Sequence, residues 1–499
     1  MLGFNNQKNN LDIEKGASFM VNSIQHFLEI GLKELGDRVL KFAEDPSKLA
    51  EFVYDVTDSV TDLGCRIIAE QLETFDEQIR RSAKRKAIWH IVRRDETSLL
   101  TSLGNVSYHK TLFRNKRDGS YAYLLDKEMH LESHVRVTED AEAKALEEAL
   151  ESSYKKGGEK ASISDDVISK QAVMKKIHKL EFPPLPKAKE LKQLEYLYID
   201  ADEDHVALQY VDFKCEKLEQ GRRHSVMPKI VYLYEGISNE NGRNELVNPV
   251  YFGGLYEGPG GNRKLWEEVN SYILTHYDSE VLKRVYINGD GAEWIKAGES
   301  YINAGYFVLD KFHMHKYVIK ATSHLGNGLQ QARSDLYSAI TNKDKSLTTE
   351  VFNAILKASS AESQKKVTES MQYILGNWQS ITRQLRGKGS QLRCSAEGHV
   401  SHIYSARLSS RPLGWCKTGV DRMARLRIYQ ANKGNMLELV RYQKAEKVSG
   451  DEVCYLSSSD IECDLRRQRS NLGVMYGMKT YTIPESIKKR VGIRFHVNL

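Results

Sequence analysis

Three acidic residues stand where a carboxylate would be both exposed and held. The run Glu195-Tyr-Leu-Tyr-Ile-Asp-Ala-Asp202 is a β-branched and aromatic strand that ends in acids. Arg284-Val-Tyr-Ile-Asn-Gly-Asp290-Gly-Ala-Glu-Trp-Ile-Lys296 is a short buried strand, a glycine-flanked turn and a helix start. Ser395-Ala-Glu397 reads as a capped helix start beside a basic segment. Bringing such groups together is unfavourable, since two like charges 4 Å apart repel by about 1 kcal/mol in water and several times that near a protein surface. A pair of divalent cations about 3.5–4 Å apart removes that repulsion and suits phosphodiester displacement, activating the attacking oxygen and stabilising the leaving one. Carboxylate oxygens favour Mg²⁺ or Mn²⁺ over zinc. Taken alone, Asp290 reads equally well as an ordinary helix cap. Among the first acids, strand alternation puts Asp200 and Asp202 on one side and Ala201 on the other. Asp202 lies nearer the strand tip and is the expected ligand, ahead of Asp200 and then Asp204.

The elements that must carry these residues are legible as hydrophobic patterns. Strands are expected at 195–210, 229–234, 249–256, 285–287 and 305–309, with an amphipathic helix over 262–277 whose Leu265, Trp266, Val269 and Ile273 share a face. Antiparallel-compatible strands followed by alternating strand and helix describe an α/β core of the ribonuclease H type better than a doubly wound sheet. The absence of a GxGxxG or Walker A sequence disfavours nucleotide-cofactor folds. This core is assigned to 194–318, followed by a helical insertion over 319–393 and a Glu-bearing helix over 394–420. Ahead of it come a helical region over 1–100, a basic β-hairpin module over 101–136, a helix-turn-helix-like segment over 137–182 and a Pro-rich linker over 183–193. A basic C-terminal region takes 421–499. Gly289 and Gly291 would leave room for a DNA backbone to approach Asp290.

Charge is distributed unevenly. The formal net charge is only +6, yet residues 80–117 hold 11 Lys/Arg against two acids, and 465–499 hold eight against one. Such density points to a phosphate-binding surface, for which a solvated basic helix face is the plain alternative. Arg80, Arg81, Lys84 and Arg85 are the candidates in the first stretch, and Lys170, Gln171 and Lys175 on the outward face of the helix-turn-helix. Lys388, Arg407 and Arg411 flank the Glu397 block. Trp294 and Trp415 could stack on an unpaired base, though core packing suits them better. None of the six cysteines forms a CxxC pair, and no apolar run reaches the roughly 18–20 residues a membrane span needs. A cytoplasmic, nucleoid-associated protein with no membrane partner is expected.

The strings Tyr198-Ile-Asp-Ala-Asp202-Glu-Asp-His-Val206, Gly289-Asp290-Gly-Ala-Glu-Trp-Ile295 and Ser395-Ala-Glu397-Gly-His-Val-Ser-His402, with Arg407-Leu-Ser-Ser-Arg411-Pro, resemble the ISLre-type bacterial insertion-sequence transposases of the Mutator-like DDE superfamily. The resemblance covers most of the chain. It implies a ribonuclease H-like core interrupted by an all-helical insertion between the second Asp and the Glu, and a catalytic triad Asp202, Asp290, Glu397 holding two Mg²⁺ or Mn²⁺ ions. It further implies binding to double-stranded DNA at terminal inverted repeats and target sites, and at least a homodimer on that DNA. The superfamily often carries a Cys-x-x-His pair where the insertion begins. The matching place here reads Lys311-Phe-His-Met-His315, with His315 at the histidine and Phe312 where cysteine is expected. A ribonuclease H-fold nuclease or resolvase, and a non-catalytic DNA-binding regulator, are the alternative readings.

Overall fold

The computed structural model describes residues 19–131, 135–209, 224–239, 242–385, 394–411, 413–445 and 455. They divide into two compact units, one of residues up to 144, 159–168 and 455, the other of 145–158 and 169–445.

The first unit begins with helices Phe19–His26, Leu32–Glu44 and the 33-residue Leu49–Arg81. Helix was expected through residue 100, but after the short helix Ala83–Ile88 the chain extends as β1 (Trp89–Leu100). Its Trp, Ile, Val and Thr residues favour a pleated surface, and it pairs along its whole length with β2 (Asn105–Asn115). The chain turns at Asp118-Gly119, where Gly119 takes φ 73°, into β3 (Tyr121–Tyr123), completing the antiparallel order β1-β2-β3. Ile79, Trp89, Val106, Tyr108, Phe113, Leu124 and Leu125 form its core. Buried Asp76 accepts from Thr111 N–H (2.9 Å) and Thr111 Oγ1 (2.6 Å), fastening the long helix to β2.

Only the second helix of the expected helix-turn-helix forms. Lys170–Lys179 starts at Ser169, whose hydroxyl accepts from Ala172 N–H at 3.2 Å, and buries Val173 and Ile177. Upstream, Ser162, Ser164 and Asp166 bond to one another and to adjacent N–H groups, which competes with helix formation and leaves bends instead. The segment 137–182 is therefore not one module, and 159–168 and 169 onward fall in different units.

In the second unit, β4 (Tyr196–Glu203) leads through a small hairpin of β5 (Val206–Leu208) and β6 (His224–Val226) to β7 (Lys229–Tyr234). A second small hairpin, β8 (Gly236–Ser238) with β9 (Glu245–Val247), precedes β10 (Val250–Gly254). Helix Gly261–His276 then crosses to β11 (Arg284–Gly289), and β12 (Gly305–Leu309) follows. The five long strands make one mixed sheet of order β10-β7-β4-β11-β12, with β7 antiparallel to both neighbours and β11 parallel to β4 and β12. One face buries Leu197, Ile199, Val231, Leu233, Val285 and Ile287 against Leu265, Trp266, Val269 and Ile273 of helix Gly261–His276. The other face carries Tyr198, Asp200, Tyr232, Tyr234 and Asn288, all buried.

Five helices from Lys311 to Gln384 follow β12 directly, so the helical block begins at Lys311 rather than at 319. After residue 394 comes helix Ala396–His399, a π-helical turn Val400–Ser405, and helices Ala406–Leu408, Lys417–Ala431 and Met436–Ala445. The basic C-terminal region expected from 421 thus opens as packed helix. Val420, Met423, Ala424 and Leu426 are buried, and Arg427 donates to Ile403 O (2.7 Å) and His402 O (2.6 Å). From 446 onward only Tyr455 is described.

Candidate active site

β4 and β11 are adjacent and parallel, so their C-terminal ends open on the same edge of the sheet. Asp202 lies near the end of β4, Asp290 one residue past β11, and Glu397 in the first turn of helix Ala396–His399. All three line one cavity of about 240 Å³, together with Asp310, Phe312, His313, Cys394 and Ser395. Stretches separated by 88 and 107 residues in the chain thus reach one place.

Each acid is held differently. Asp202 Oδ1 accepts from the Glu203 N–H at 2.8 Å. Burial pushes its carboxyl up from 3.8 to about 6, and the Asp290 charge adds to this while His313 opposes it. Asp290 Oδ1 accepts from Ala292 N–H at 2.8 Å, so the cap-like turn and a place in the cavity coexist in one side chain. Its carbonyl accepts from the hydroxyl of Tyr373, in the helical block. The flanking glycines are required by the fold. A Cβ on Gly289 would meet Ile295 at 2.7 Å, and Gly291 takes φ 93° beside Asn377 and Leu309. Glu397 is exposed on the cavity rim.

Beneath the cavity lies Asp200, with no exposed surface. Its Oδ2 accepts from Tyr232 Oη (2.7 Å) and from the Ser395 N–H (2.9 Å), while Oδ1 accepts from Asn288 Nδ2 (2.7 Å) and Tyr234 Oη (3.2 Å). Burial pushes its carboxyl up and those donors pull it down. Burial is the larger effect, so the carboxyl's affinity for a proton is raised above the usual carboxylate range. Ser395 begins the Glu397 helix, but its hydroxyl lies 2.7 Å from Tyr232 Oη and does not cap the helix. Asp204 is buried too, and accepts from Ser409 Oγ at 3.0 Å.

His313, not His315, faces this site. Asp310 caps helix Lys311–Thr322 by accepting from Phe312 N–H (3.2 Å), and its other oxygen lies 3.1 Å from His313 Nδ1. That contact, more than the charges of Asp290 and Asp202, raises the imidazole's affinity for a proton. His315 lies two residues on, about 200° around the helix, exposed and edge-on to Tyr337 at 5.1 Å. The signal for His313 was Asp310-x-x-His313, the N-cap and N3 positions of one helix.

Several of the residues expected to contact DNA are buried or paired within the protein. Arg407 is buried: its Nε donates to Ala149 O at 3.0 Å and its guanidinium packs over Trp415 (4.9 Å) and Tyr154 (5.8 Å). Arg85 is buried over Phe113. Arg80 and Arg81 both pair with Glu77. Trp294 and Trp415 are core residues, the first against Trp266 and the second donating to Leu408 O at 2.9 Å. Lys84, Lys170, Gln171, Lys175 and Arg411 are exposed. Lys388 lies outside the described residues.

The donor chemistry fits hard divalent cations. Asp202, Asp290, Asp310 and Glu397 line the cavity, and burial makes Asp202's charge unfavourable without a counter-ion. Among the described residues, no three His, Cys, Asp or Glu side chains stand close enough to hold an ion as they are. Also among the described residues, no helix is long and apolar enough to cross a membrane.

The model of an uncharacterised protein family, UPF0236, matches residues 43–446. A UPF0236 protein of Caldanaerobacter subterraneus subsp. tengcongensis is 36% identical over 425 residues, covering 85% of this chain and 86% of its own. Another from that organism is 35% identical over 435 residues, covering 87% of each, and its name joins eleven loci. A Streptococcus gallolyticus relative, the UPF0236 protein in the vanSb 3′ region, is 25% identical over 413 residues, 79% of this chain and 85% of its own. Among solved structures, the Drosophila P element transposase strand transfer complex aligns with a TM-score of 0.22 and 10% identity, over 66% of this chain and 91% of that one.

Proposed function

The chain belongs to the UPF0236 family, and from that premise we propose that it is a DDE-type DNA transposase of an insertion sequence. The observation that carries the reading is the cavity lined by Asp202, Asp290 and Glu397 at the ends of adjacent parallel strands. The strand order β10-β7-β4-β11-β12, with β7 alone reversed, supports a ribonuclease H-like core. The helices between β12 and Glu397 support an insertion between the second Asp and the Glu. A relative whose name joins eleven loci of one genome fits a protein that moves its own coding DNA.

Asp202, Asp290 and Glu397 would hold two Mg²⁺ or Mn²⁺ ions, which supply the positive charge that phosphodiester displacement needs. Asp202 is fixed by β4 and by the Glu203 N–H, and Asp290 by the Ala292 N–H, so each presents its remaining oxygen with little freedom. His313, whose affinity for a proton Asp310 raises, lies among four carboxylates. The reaction is hydrolysis at the element's end, in which water's oxygen joins phosphorus and the 3′-oxygen leaves as a 3′-OH. That 3′-OH then attacks a target phosphodiester, one P–O bond forming as another breaks. Lys84, Lys170, Gln171, Lys175 and Arg411 are the exposed candidates for phosphate contact. Two ends must meet, so a dimer or higher oligomer acts on terminal inverted repeats and target DNA.

The test is incubation of the purified protein with a pre-cleaved element end, target DNA and Mg²⁺. Joining of end to target is expected, and Asp202→Ala, Asp290→Ala or Glu397→Ala should abolish it while leaving end binding intact. Cleavage without joining would make the protein a nuclease. Tight, salt-sensitive binding with no metal-dependent cleavage would make it a DNA-binding regulator.

A further inference from the structure

Asp200 sits at the centre of a buried cluster with a regular relation to the proposed active-site acids. Along β4, Asp202 lies two residues beyond Asp200. Asn288, whose amide donates to Asp200, lies two residues before Asp290. Ser395, whose backbone N–H donates to Asp200, lies two residues before Glu397. Asp200 and Asn288 are direct partners in the parallel β4–β11 register, so the sheet fixes that pair. Helix Ala396–His399 has no strand to fix it. Ser395 reaches Asp200 and Tyr232, and His399 packs its ring on Tyr232 with centroids 4.3 Å apart.

We infer that Asp200 is a positioning residue that docks the Glu397 helix onto the sheet and so sets Glu397 against Asp202 and Asp290. The inference rests on the proposed use of those three acids. A single carboxylate suits the task because each oxygen has two in-plane lone pairs. One oxygen takes the strand-borne donors Asn288 and Tyr234, and the other takes Ser395 N–H and Tyr232 Oη. Asp200, Tyr232, Tyr234 and Asn288 are buried, and a buried donor left unpaired is more costly than the bond itself was favourable. The role is geometric. An amide oxygen at position 200 could still accept from Ser395 N–H if Asn288 turned its own amide, whereas a methyl group offers no acceptor.

The experiment is hydrogen–deuterium exchange of the amides in 395–399, read in full-length wild type, Asp200→Ala and Asp200→Asn, with Mn²⁺-dependent end cleavage measured alongside. Asp200→Ala should speed exchange in 395–399 by about tenfold or more, the loss of at least one net hydrogen bond, and raise the Mn²⁺ concentration for half-maximal cleavage with DNA affinity unchanged. Asp200→Asn should stay within about threefold of wild type in both. Wild-type exchange at 395–399 in folded Asp200→Ala overturns the inference, as does an Asp200→Asn defect as large as that of Asp200→Ala. If Asp200→Ala does not fold, Tyr232→Phe decides: faster exchange confined to 395–399 supports the docking role, and unchanged or uniformly faster exchange overturns it. Should wild type cleave no DNA, the transposase reading fails while the exchange result still judges the docking.

Discussion

Asp202→Asn should make the protein more stable at neutral pH while removing its activity. Burial holds the Asp202 carboxyl near 6 against its ordinary 3.8, a difference worth about 3 kcal/mol between its two protonation states. The folded state therefore binds this proton more tightly than the unfolded chain does. Between pH 3.8 and about 6 stability falls as pH rises, and above about 6 the whole cost is present. Asparagine keeps the shape, and its amide oxygen can still accept the Glu203 N–H, but it carries no charge at any pH. At pH 7.5 the variant should gain up to about 3 kcal/mol, or roughly 6–12 °C in Tm at about 2–4 °C per kcal/mol for domains of this order. The assay is scanning calorimetry of both proteins from pH 4 to pH 8, with and without Mg²⁺. The gap should shrink toward zero as pH falls below 4. Mg²⁺ should narrow it at pH 7.5 by raising the wild type alone. A variant no more stable than wild type at pH 7.5, or a gap that is flat with pH, would refute the claim that Asp202 is held ionised at a cost.

Two further outcomes separate readings of particular side chains. His313→Ala should lower metal-dependent cleavage by about 10–100-fold, the usual range for a group supporting a metal site, and shift the acidic limb of the pH–rate profile. His315→Ala should leave cleavage within about twofold, as for an exposed substitution, and equal losses in the two variants would end the distinction. Arg407→Ala should cost about 2–4 kcal/mol in urea denaturation, because Ala149 O loses its partner and Trp415 loses its packing. DNA affinity of the folded variant should be unchanged, and weaker binding without lost stability would return Arg407 to the DNA interface.

The strands and acids were legible because each is written locally. Tyr-Leu-Tyr-Ile and Val-Tyr-Ile can bury only as strands, and Leu265, Trp266, Val269 and Ile273 can share a face only on a helix. The cavity was legible because its acids end such elements. What failed depended on distant partners. Trp89–Leu100 follows a long helix and carries four charged residues at its midpoint, Arg93 to Glu96, and it is a strand because β2 pairs with it from end to end. Arg85 and Arg407 read as phosphate contacts because charge normally stays in water. Each instead has an aromatic ring beneath it and a backbone carbonyl to bond, which no local spacing announces.

Asp200 makes the same point from the inside. Alternation puts it on the same strand face as Asp202, and sequence alone can rank the two only by nearness to the strand tip. The structure separates them by what each carboxylate still has to give. Asp200 has spent both oxygens on Tyr232, Tyr234, Asn288 and Ser395. Asp202 receives the Glu203 N–H and otherwise opens on the cavity. Asp290 follows the same logic: one oxygen is committed to Ala292 N–H, which aims the side chain and leaves the other oxygen for the cavity. The helix-cap reading and the ligand reading of Asp290 therefore do not compete. A carboxylate that must meet a cation at a defined point is better prepared when one of its oxygens is already tied down.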